Sequence, residues 1–364
     1  GQLFVSAENA NFNNYFAGAQ VVEIIVRDAK ATETDERQQE PTVKVDETPI
    51  RMTQAADGYW YAYIADKTDA AAAHALDSTS NVNIDFGEAA SRTSMGVTPT
   101  FDSSIVVYHT SGLLVSGSPT MSNVLVTGAE NADGVGLIGQ IGVDNTKWPF
   151  VQTLDFTIET FEIKLEQPGA DEIVTLTHDN DDIDNYASIA LDRNAATNGA
   201  HLHLTITDQA LNIDPTTEDV VLFNVTAGAE GVSFKTPSTQ TSGTYVAFNN
   251  SFDDNGKLKI NYNANSAAAA VLVNTLSVDD VLLDNFLVFT ETAENSGIFT
   301  NTDDADASNL TVLAAAARGT TATIDYNDSA QSFVVAHDFA TIDMVASSVG
   351  DEWNSGEEMT IVLY

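Results

Sequence analysis

The chain has no cysteine, few basic residues and no long apolar run. Without cysteine, disulfide bonds and thiolate metal sites are excluded. Lysine and arginine number 14 against 53 acidic residues, for a net charge of -39, which repels nucleic acid and anionic lipid and attracts cations. No stretch approaches the roughly 20 apolar residues of a membrane helix, so we expect any membrane anchor to lie outside these residues.

Hydrophobic residues nevertheless make up 43% of the 364 residues, enough to fill the cores of two or three domains. Short runs rich in Val, Ile, Thr and aromatic residues alternate with turn residues such as Asp, Asn and Gly, as is typical of half-buried strands. The clearest strand predictions are residues 21–26, 59–64, 104–108, 202–207, 219–225, 321–326 and 359–363.

Helical patterns are few. Residues 68–76 predict one short helix capped by Thr68 or Asp69, and residues 266–284 predict a second. Strands without regular intervening helices favour antiparallel β-sandwiches over a parallel α/β sheet. The sequence therefore predicts an all-β fold of antiparallel sandwiches with few short helices.

Internal repeats indicate how the sandwiches are arranged along the chain. Residues 150–158 (FVQTLDFTI) and 333–342 (FVVAHDFATI) share Phe-Val, Asp-Phe and Thr-Ile, and we expect them to be equivalent strands. Residues 198–207 (NGAHLHLTIT) and 355–364 (SGEEMTIVLY) share a glycine followed by alternating apolar residues, which predicts a second pair of equivalent strands.

A third and weaker repeat relates residues 8–26 to residues 208–225, where a turn rich in acidic or amide residues precedes a hydrophobic strand. Together the repeats predict a first β-sandwich domain over 1–167 and a second over 168–345. Residues 346–364 are predicted to be the opening strand of a truncated third domain.

Several stretches, among them ENANFNNYFAGAQVVEIIVRD, GAHLHLTITDQALNIDPTTEDVVLFNV and GDEWNSGEEMTIVLY, resemble the N-terminal region of the surface-layer (S-layer) proteins of ammonia-oxidising archaea. The resemblance covers most of the chain. It implies tandem immunoglobulin-like modules, an extracellular location, a longer parent chain and self-assembly into a two-dimensional lattice. The partners so implied are copies of the protein itself and small cations.

Carboxylate-rich loops are the candidate metal sites, because calcium prefers six to eight hard oxygen ligands. None has EF-hand spacing, and the alternative for each is a solvated acidic loop. The candidate ligands are Asp179, Asp181, Asp182 and Asp184; Asp208, Asn212, Asp214, Glu218 and Asp219; Asp253, Asp254 and Asn255; and Asp303, Asp304 and Asp306.

Four Asn-X-Ser/Thr sequons predict glycosylation at a cell surface. They begin at Asn224, Asn249, Asn309 and Asn327, and Asn224 is the weakest because it lies within a predicted strand. Chance sequons are the alternative in a chain rich in Asn, Ser and Thr.

The sequence does not predict an enzyme. It has no nucleophile elbow, phosphate loop or zinc-protease motif, and the glycine string at 134–139 has no following helix. The expected function is a structural surface-layer protein with an acidic, cation-attracting surface. The alternatives are a cell-surface adhesin or carbohydrate-binding module and, less favoured, a secreted hydrolase with a carboxylate pair.

Overall fold

The structure is a computed structural model. It describes residues 1–33, 40–55, 57–80, 88–90, 101–109, 149–156, 159–225, 228–235, 245–247, 255–261, 271–273, 276–278, 281–283, 286–302, 307–337, 342–345, 356 and 360–363. Within the described part of the chain, strands account for 48% of the residues and helices for 9%. The predicted all-β sandwich class is therefore confirmed.

The first sandwich is built from the N-terminal half of the chain. Its elements are β1 (Gln2–Val5), β2 (Tyr15–Phe16), β3 (Val22–Arg27), β4 (Thr42–Val45), β5 (Thr48–Ile50), β6 (Thr53–Gln54), β7 (Trp60–Asp66), α1 (Lys67–Ser80), β8 (Glu88–Ala90), β9 (Val106–His109), β10 (Phe150–Leu154), β11 (Thr160–Glu166) and β12 (Glu172–His178).

Two sheets form this sandwich. One has the order β1-β3-β7-β10-β9-β8, with β6 beside β7, and the other has the order β2-β12-β11-β4-β5. Burial alternates along β3 and β11, so one face of each strand enters the core. Strand β7 is buried along its whole length, with Trp60 and Tyr63 among the largest enclosed side chains.

The predicted helix at 68–76 is present and longer than expected. Helix α1 begins at Lys67, and its cap is Asp66, whose Oδ1 accepts hydrogen bonds from the N–H groups of Thr68 (2.8 Å) and Asp69 (3.0 Å). The predicted caps, Thr68 and Asp69, are therefore the donors that the true cap satisfies.

The second sandwich follows in the chain. Its strands are β13 (Ser188–Leu191), β14 (Ala195–Ala196), β15 (Leu204–Thr207), β16 (Val220–Asn224), β17 (Gly231–Lys235), β18 (Tyr245–Ala247), β19 (Leu258–Asn261), β20 (Val271–Val273), β21 (Leu276–Val278), β22 (Val281–Leu283), β23 (Phe286–Glu291), β24 (Ile298–Thr300), β25 (Leu310–Val312), β26 (Thr321–Tyr326) and β27 (Ser329–Val335).

The larger sheet of the second sandwich has the order β13-β15-β24-β23-β16-β17-β18, and it is accompanied by the sheet β14-β27-β26-β19. Strand β20 pairs with β25, and β21 pairs with β22. Strands β26 and β27 meet at a two-residue turn in which Asn327 (φ 48°) and Asp328 (φ 60°) are both left-handed. The apolar cores of the two sandwiches form one connected cluster.

The predicted helix at 266–284 is wrong. The described parts of this stretch are the strands β20, β21 and β22. Their sequences, VLV, LSV and VLL, are rich in β-branched residues, which favour a pleated strand over a helix.

A hairpin crosses residue 167, where the sequence predicted the end of the first domain. Strands β11 and β12 pair with each other, β11 also pairs with β4, and β12 pairs with β2. By strand pairing the first sandwich therefore extends to His178. The division into three domains stays a prediction.

The predicted equivalence of residues 150–158 and 333–342 is wrong. Strand β10 lies between β7 and β9 inside a large sheet, whereas β27 belongs to a hairpin with β26. In the first sandwich, the counterpart of β27 is β12, because each completes a hairpin and pairs in parallel with a two-residue strand, β2 or β14.

The second repeat is reproduced by the pairing of two further strands, β28 (Ile342–Val345) and β29 (Thr360–Leu363). Ile342 lies opposite Leu363 and Met344 opposite Ile361. Strands β13 and β15 show the same register, with Ile189 opposite Ile206 and Leu191 opposite Leu204.

In the described part of the chain, α1 and the short turns leave no helix with both the length and the apolarity needed to cross a membrane.

Candidate functional site: the joint between the sandwiches

Two loops of the second sandwich contact the first sandwich, and we call them together the joint. The first joint loop is residues 208–214, between β15 and β16, and the second is residues 292–297, between β23 and β24. A 3-10 turn in the first joint loop packs against β2. A second 3-10 turn, Asp182–Tyr186, contacts both this turn and the N-terminal turn Ala10–Phe12 of the first sandwich.

The first joint loop folds around an aspartate cap. Asp208 Oδ1 accepts a hydrogen bond from the Ala210 N–H at 2.8 Å, which starts the turn Gln209–Leu211. In the first sandwich, Asn9 caps the turn Ala10–Phe12 in the same way. The capped turn of the third predicted repeat is therefore present in both sandwiches, but the strands that follow it are paired differently, because β3 lies beside β1 whereas β16 lies between β23 and β17.

Backbone and amide groups bond across the joint. The Val21 N–H donates to the Ile213 carbonyl oxygen at 2.9 Å. Asn295 donates from Nδ2 to the Ser6 carbonyl oxygen at 2.9 Å and accepts from Asn212 Nδ2 at 2.7 Å. Each joint loop thus makes a hydrogen bond to the first sandwich, and the two loops are also bonded to each other. These bonds fix how the two sandwiches meet.

Close packing at Gly297 leaves no space for a side chain. A Cβ atom at this residue would lie 2.7 Å from Gln209 Oε1 and 2.9 Å from the ring atom Cζ of Phe12, which belongs to the first sandwich. The residue also has φ +64°, a left-handed conformation that glycine adopts most readily.

Two carboxylates anchor the joint loops from inside the second sandwich. Asp219 Oδ2 accepts from the N–H groups of Ile213 (2.7 Å) and Asp214 (3.0 Å). Glu291 Oε1 accepts from the N–H groups of Ser296 (2.7 Å) and Gly297 (2.8 Å).

The two anchors are also joined to each other. Glu291 Oε2 accepts from the Asp219 N–H at 3.1 Å, and the Glu291 N–H donates to the Asp219 carbonyl oxygen at 2.8 Å. They are neighbours because Val220 in β16 lies opposite Thr290 in β23, which brings both residues to the same end of the sheet.

Burial raises the pKa values of these anchors. The pKa of Asp219 is raised well above its ordinary value by burial of its carboxyl group and then by the nearby charges of Asp214 and Glu291, although the residue as a whole is half-buried. Burial likewise raises the pKa of Glu291. Across the joint, burial and then the charge of Glu294 raise the pKa of Glu23, whose carboxylate accepts from the Tyr63 hydroxyl.

Asp208 is almost completely enclosed, with 1% of its surface exposed. Burial raises its pKa to about 6, against the lowering effect of hydrogen bonds from Tyr326, Ala210 and Asn255. The Tyr326 hydroxyl donates to Asp208 Oδ2, and Tyr326 itself is fully buried. Asp208 therefore ties the first joint loop to strand β26.

The other predicted ligands of this loop have separate roles. Asp214 Oδ1 accepts from the N–H (2.9 Å) and hydroxyl (2.6 Å) groups of Thr216, Asn212 bonds to Asn295, and Glu218 is exposed. The sequence thus identified the loop, but it missed Glu291 and Asn295. These residues stand 72 residues or more from their partners Asp219 and Asn212, so no local sequence pattern links them.

The loop at 179–184 lies near the joint, and one of its carboxylates bonds to backbone groups of the same loop. Asp179 Oδ1 accepts from the N–H groups of Asp181 (2.9 Å) and Asp182 (3.0 Å), and Ile183 is buried beneath them. Burial and then the charges of Asp181 and Asp182 raise the pKa of Asp184.

Over the residues that the structure describes, no group of three or more His, Asp or Glu side chains is arranged to hold a metal ion. The structure therefore gives calcium no ready-made carboxylate cage there, and calcium binding stays a prediction. Outside the described residues lie Asp253, Asp254, Asp303, Asp304 and Asp306, the sequon at Asn249 and the glycine string at 134–139.

The described sequons sit in structured positions. Asn309 Nδ2 donates to the Val288 carbonyl oxygen at 3.1 Å, and Asn327 Nδ2 donates to Asn255 Oδ1. Asn224 ends β16, where it lies opposite Phe286 of β23. A glycan at Asn309 or Asn327 would replace one of the two hydrogens of the Nδ2 group that makes these bonds and would leave the other able to donate, so glycosylation at either asparagine stays a prediction.

An aromatic patch lies on the outer face of β1, β3 and the start of β7. The Arg27 guanidinium lies 4.6 Å from the centre of the Phe4 ring and 4.8 Å from that of Tyr59. Stacking of this cation covers ring faces that a sugar would use.

Comparison with known proteins identifies no family: no protein-family model matches the chain, and the search of curated proteins finds no match either.

Proposed function

We propose that this chain is a structural protein of an extracellular surface layer, in which tandem immunoglobulin-like sandwiches assemble with copies of themselves into a two-dimensional lattice. The observation that carries the proposal is the joint. Hydrogen bonds, a close glycine contact and a shared apolar core connect the two sandwiches. A stiff spacer of this kind suits a protein whose task is to hold fixed distances.

The charge supports the same proposal. A net charge of -39 attracts small cations and keeps copies apart until those cations screen it. Assembly is then expected to depend on divalent cations, with calcium the first to test. In this view β28 and β29 open a further sandwich, because they repeat the register of β13 and β15.

The test is negative-stain microscopy of the purified chain with and without millimolar calcium, with sodium chloride at matched ionic strength as the control. Ordered sheets that form only with calcium would support the proposal. Single particles under every condition, together with binding on a glycan array, would favour the adhesin alternative. Arg27→Ala is the matched variant for that alternative, because it frees the faces of Phe4 and Tyr59.

A further inference from the structure

The guanidinium of Arg27 is held by two aromatic rings on the outer face of the first sandwich. It lies 4.6 Å from the centre of the Phe4 ring and 4.8 Å from that of Tyr59. Phe4 stands opposite Ile25, and Ile25 opposite Tyr61, so an apolar and aromatic row crosses the sheet beside the cation. A ring attracts the cation without accepting a conventional hydrogen bond, so the five N–H donors of the guanidinium stay available for other partners.

Within the part of the chain that the structure describes, no carboxylate forms a hydrogen bond or an ion pair with Arg27. Asp57 lies on the same loop as Tyr59, but its two oxygens are engaged elsewhere. Oδ1 accepts from the Tyr59 N–H at 2.8 Å, and Oδ2 accepts from the Tyr61 hydroxyl at 2.6 Å. The local carboxylate therefore supports the rings around Arg27 and leaves the charge of the arginine unpaired.

Other arginines of the chain do have acidic partners. Arg51 pairs with Glu40 and Arg193 with Asp192, each at 2.8 Å. A shortage of carboxylates cannot explain the difference, since the chain has 53 acidic residues against 14 lysines and arginines. Arg27 is thus a cation that the fold positions and does not neutralise.

The site is open to a partner. Arg27 is exposed, the Phe4 side chain beside it is 39% exposed, and Tyr59 is half-buried. Arginine set among aromatic side chains is the typical composition of an interface hot spot. Because the rings already restrain the guanidinium, less conformational freedom is lost when an anion binds to it.

We propose that Arg27, held between Phe4 and Tyr59, is an interaction site that binds a carboxylate side chain of a second copy of this chain. The site rests on the proposed function, because a lattice brings copies into contact. A carboxylate fits since its two oxygens match the planar fork of N–H donors on arginine.

The charge of the chain argues for a second copy as the source of the carboxylate. Every copy presents a surface rich in Asp and Glu, and two chains of net charge -39 repel each other. An unpaired cation that meets the acidic surface of the next copy offsets this repulsion at the point of contact and selects one orientation of the two copies.

Arg27→Gln tests the site, and Arg193→Gln is the matched control. Both variants lose one exposed arginine and one positive charge, but Arg193 is already bonded to Asp192 in its own chain. Sedimentation equilibrium at one fixed ionic strength, with and without millimolar calcium, measures the self-association. We expect the association constant to fall about tenfold for Arg27→Gln and to stay within about twofold of the parent value for Arg193→Gln. Arg27→Lys keeps the charge without the planar fork and should give an intermediate loss.

Arg27→Lys also allows the partner to be identified. A carbodiimide couples the introduced amine to a carboxylate that touches it, and a mixture of nitrogen-15-labelled and unlabelled chains separates contacts between copies from contacts within one chain. We expect crosslinked peptides of mixed isotope composition that join position 27 of one copy to an Asp or Glu of the other.

Equal self-association of the parent, Arg27→Gln and Arg193→Gln chains would overturn the proposal, and so would crosslinks from position 27 that stay within one chain. A parent chain that remains single and binds trigalacturonate through Arg27 would also overturn it, because the carboxylate would then come from an acidic glycan. Far-ultraviolet circular dichroism verifies that the variants are folded, and Arg27→Lys decides the question if Arg27→Gln is not.

Failure of this site and failure of the proposed function give different results. Calcium-dependent sheets that form equally well from the Arg27→Gln chain would reject the site and keep the surface-layer function. Small oligomers that depend on Arg27, without ordered sheets under any condition, would keep the site and reject the lattice.

Discussion

Strand pairs β13–β15 and β28–β29 have the same register but very different burial. Ile189 and Ile206 are 3% and 0% exposed, whereas their counterparts Ile342 and Leu363 are 65% and 68% exposed. Backbone pairing is a local property of two strands, and the alternating sequence specifies it. Burial depends on a second layer, which β13 and β15 receive from the rest of their sandwich.

The two pairs also differ in their neighbours. Strand β15 pairs with β24 on its second side and leads into the joint through Asp208. Strand β29 pairs only with β28 among the described residues. The same sequence pattern can therefore be a core element or an exposed apolar edge, depending on what is packed beside it.

The largest expected effect is the loss of a side chain from the buried pair, β13–β15. Ile206→Ala should lower the free energy of unfolding by about 2–5 kcal/mol, because it leaves a cavity opposite Ile189 and Phe299. Leu363→Ala removes a similar side chain from an exposed site and should change the free energy of unfolding by less than about 0.5 kcal/mol. Urea denaturation of the two variants measures the difference. Equal losses would mean that the β28–β29 face is covered in solution.

Each of the seven strands predicted from local pattern overlaps a strand of the structure. The run at 321–326 has the same bounds as β26, and those at 21–26 and 219–225 match β3 and β16 to within one residue at each end. Alternation is carried by neighbouring residues, so it can be read without knowledge of the rest of the chain.

Equivalence between repeats was harder to predict, because it depends on pairing. Phe-Val and Asp-Phe recur at 150–158 and 333–342, yet β10 and β27 occupy different places in their sheets. The stretches VTLTHD (174–179) and FVVAHD (333–338) carry the better signal, since both cover the second strand of a hairpin and end in His-Asp.

The joint could be located from the sequence only in part. The acidic loop at 208–219 was singled out for its ligand chemistry, whereas the structure uses its carboxylates to accept backbone N–H groups. The bond from Asn295 to Ser6 spans 289 residues, and no local pattern predicts such a contact.

A second prediction sharpens the comparison at the end of β15. Asp208→Asn makes the cap of the second sandwich resemble Asn9, the cap of the first. Because burial raises the pKa of Asp208 to about 6, ionisation of the parent residue costs stability as the pH rises from about 4 to about 6. The variant avoids this cost and should be more stable by up to about 3 kcal/mol at neutral pH.

Thermal melting at about pH 3.5 and about pH 7 measures this effect, and the advantage of the asparagine should vanish at the lower pH. Tyr326→Phe is the control, because it leaves a buried oxygen of Asp208 without its donor and should destabilise the chain by about 1–3 kcal/mol. An asparagine variant that is less stable than the parent at neutral pH would show that the charge itself is needed there.

The smallest expected effect concerns the joint, into which β15 leads and β29 does not. The test compares alanine substitutions at two glycines. Gly297 and Gly319 both have left-handed backbones, at φ +64° and +79°, so alanine at either position should cost about 1 kcal/mol of backbone strain. A Cβ at Gly319 meets nothing within 4 Å, whereas one at Gly297 meets Gln209 and the Phe12 ring of the first sandwich. Gly297→Ala should therefore cost about 1 kcal/mol more than Gly319→Ala.

Gly297→Ala should also change how the two sandwiches are held. Because the chain has no cysteine, Thr42→Cys and Gln331→Cys can carry nitroxide labels on exposed residues, one in each sandwich, and pulsed electron resonance measures the distribution of distances between them. Gly297→Ala should broaden this distribution, and Gly319→Ala should leave it narrow. If both alanines have the same effect on melting and on the distances, the contact at Gly297 does not hold the sandwiches together, and the joint depends on its hydrogen bonds and on the shared apolar core.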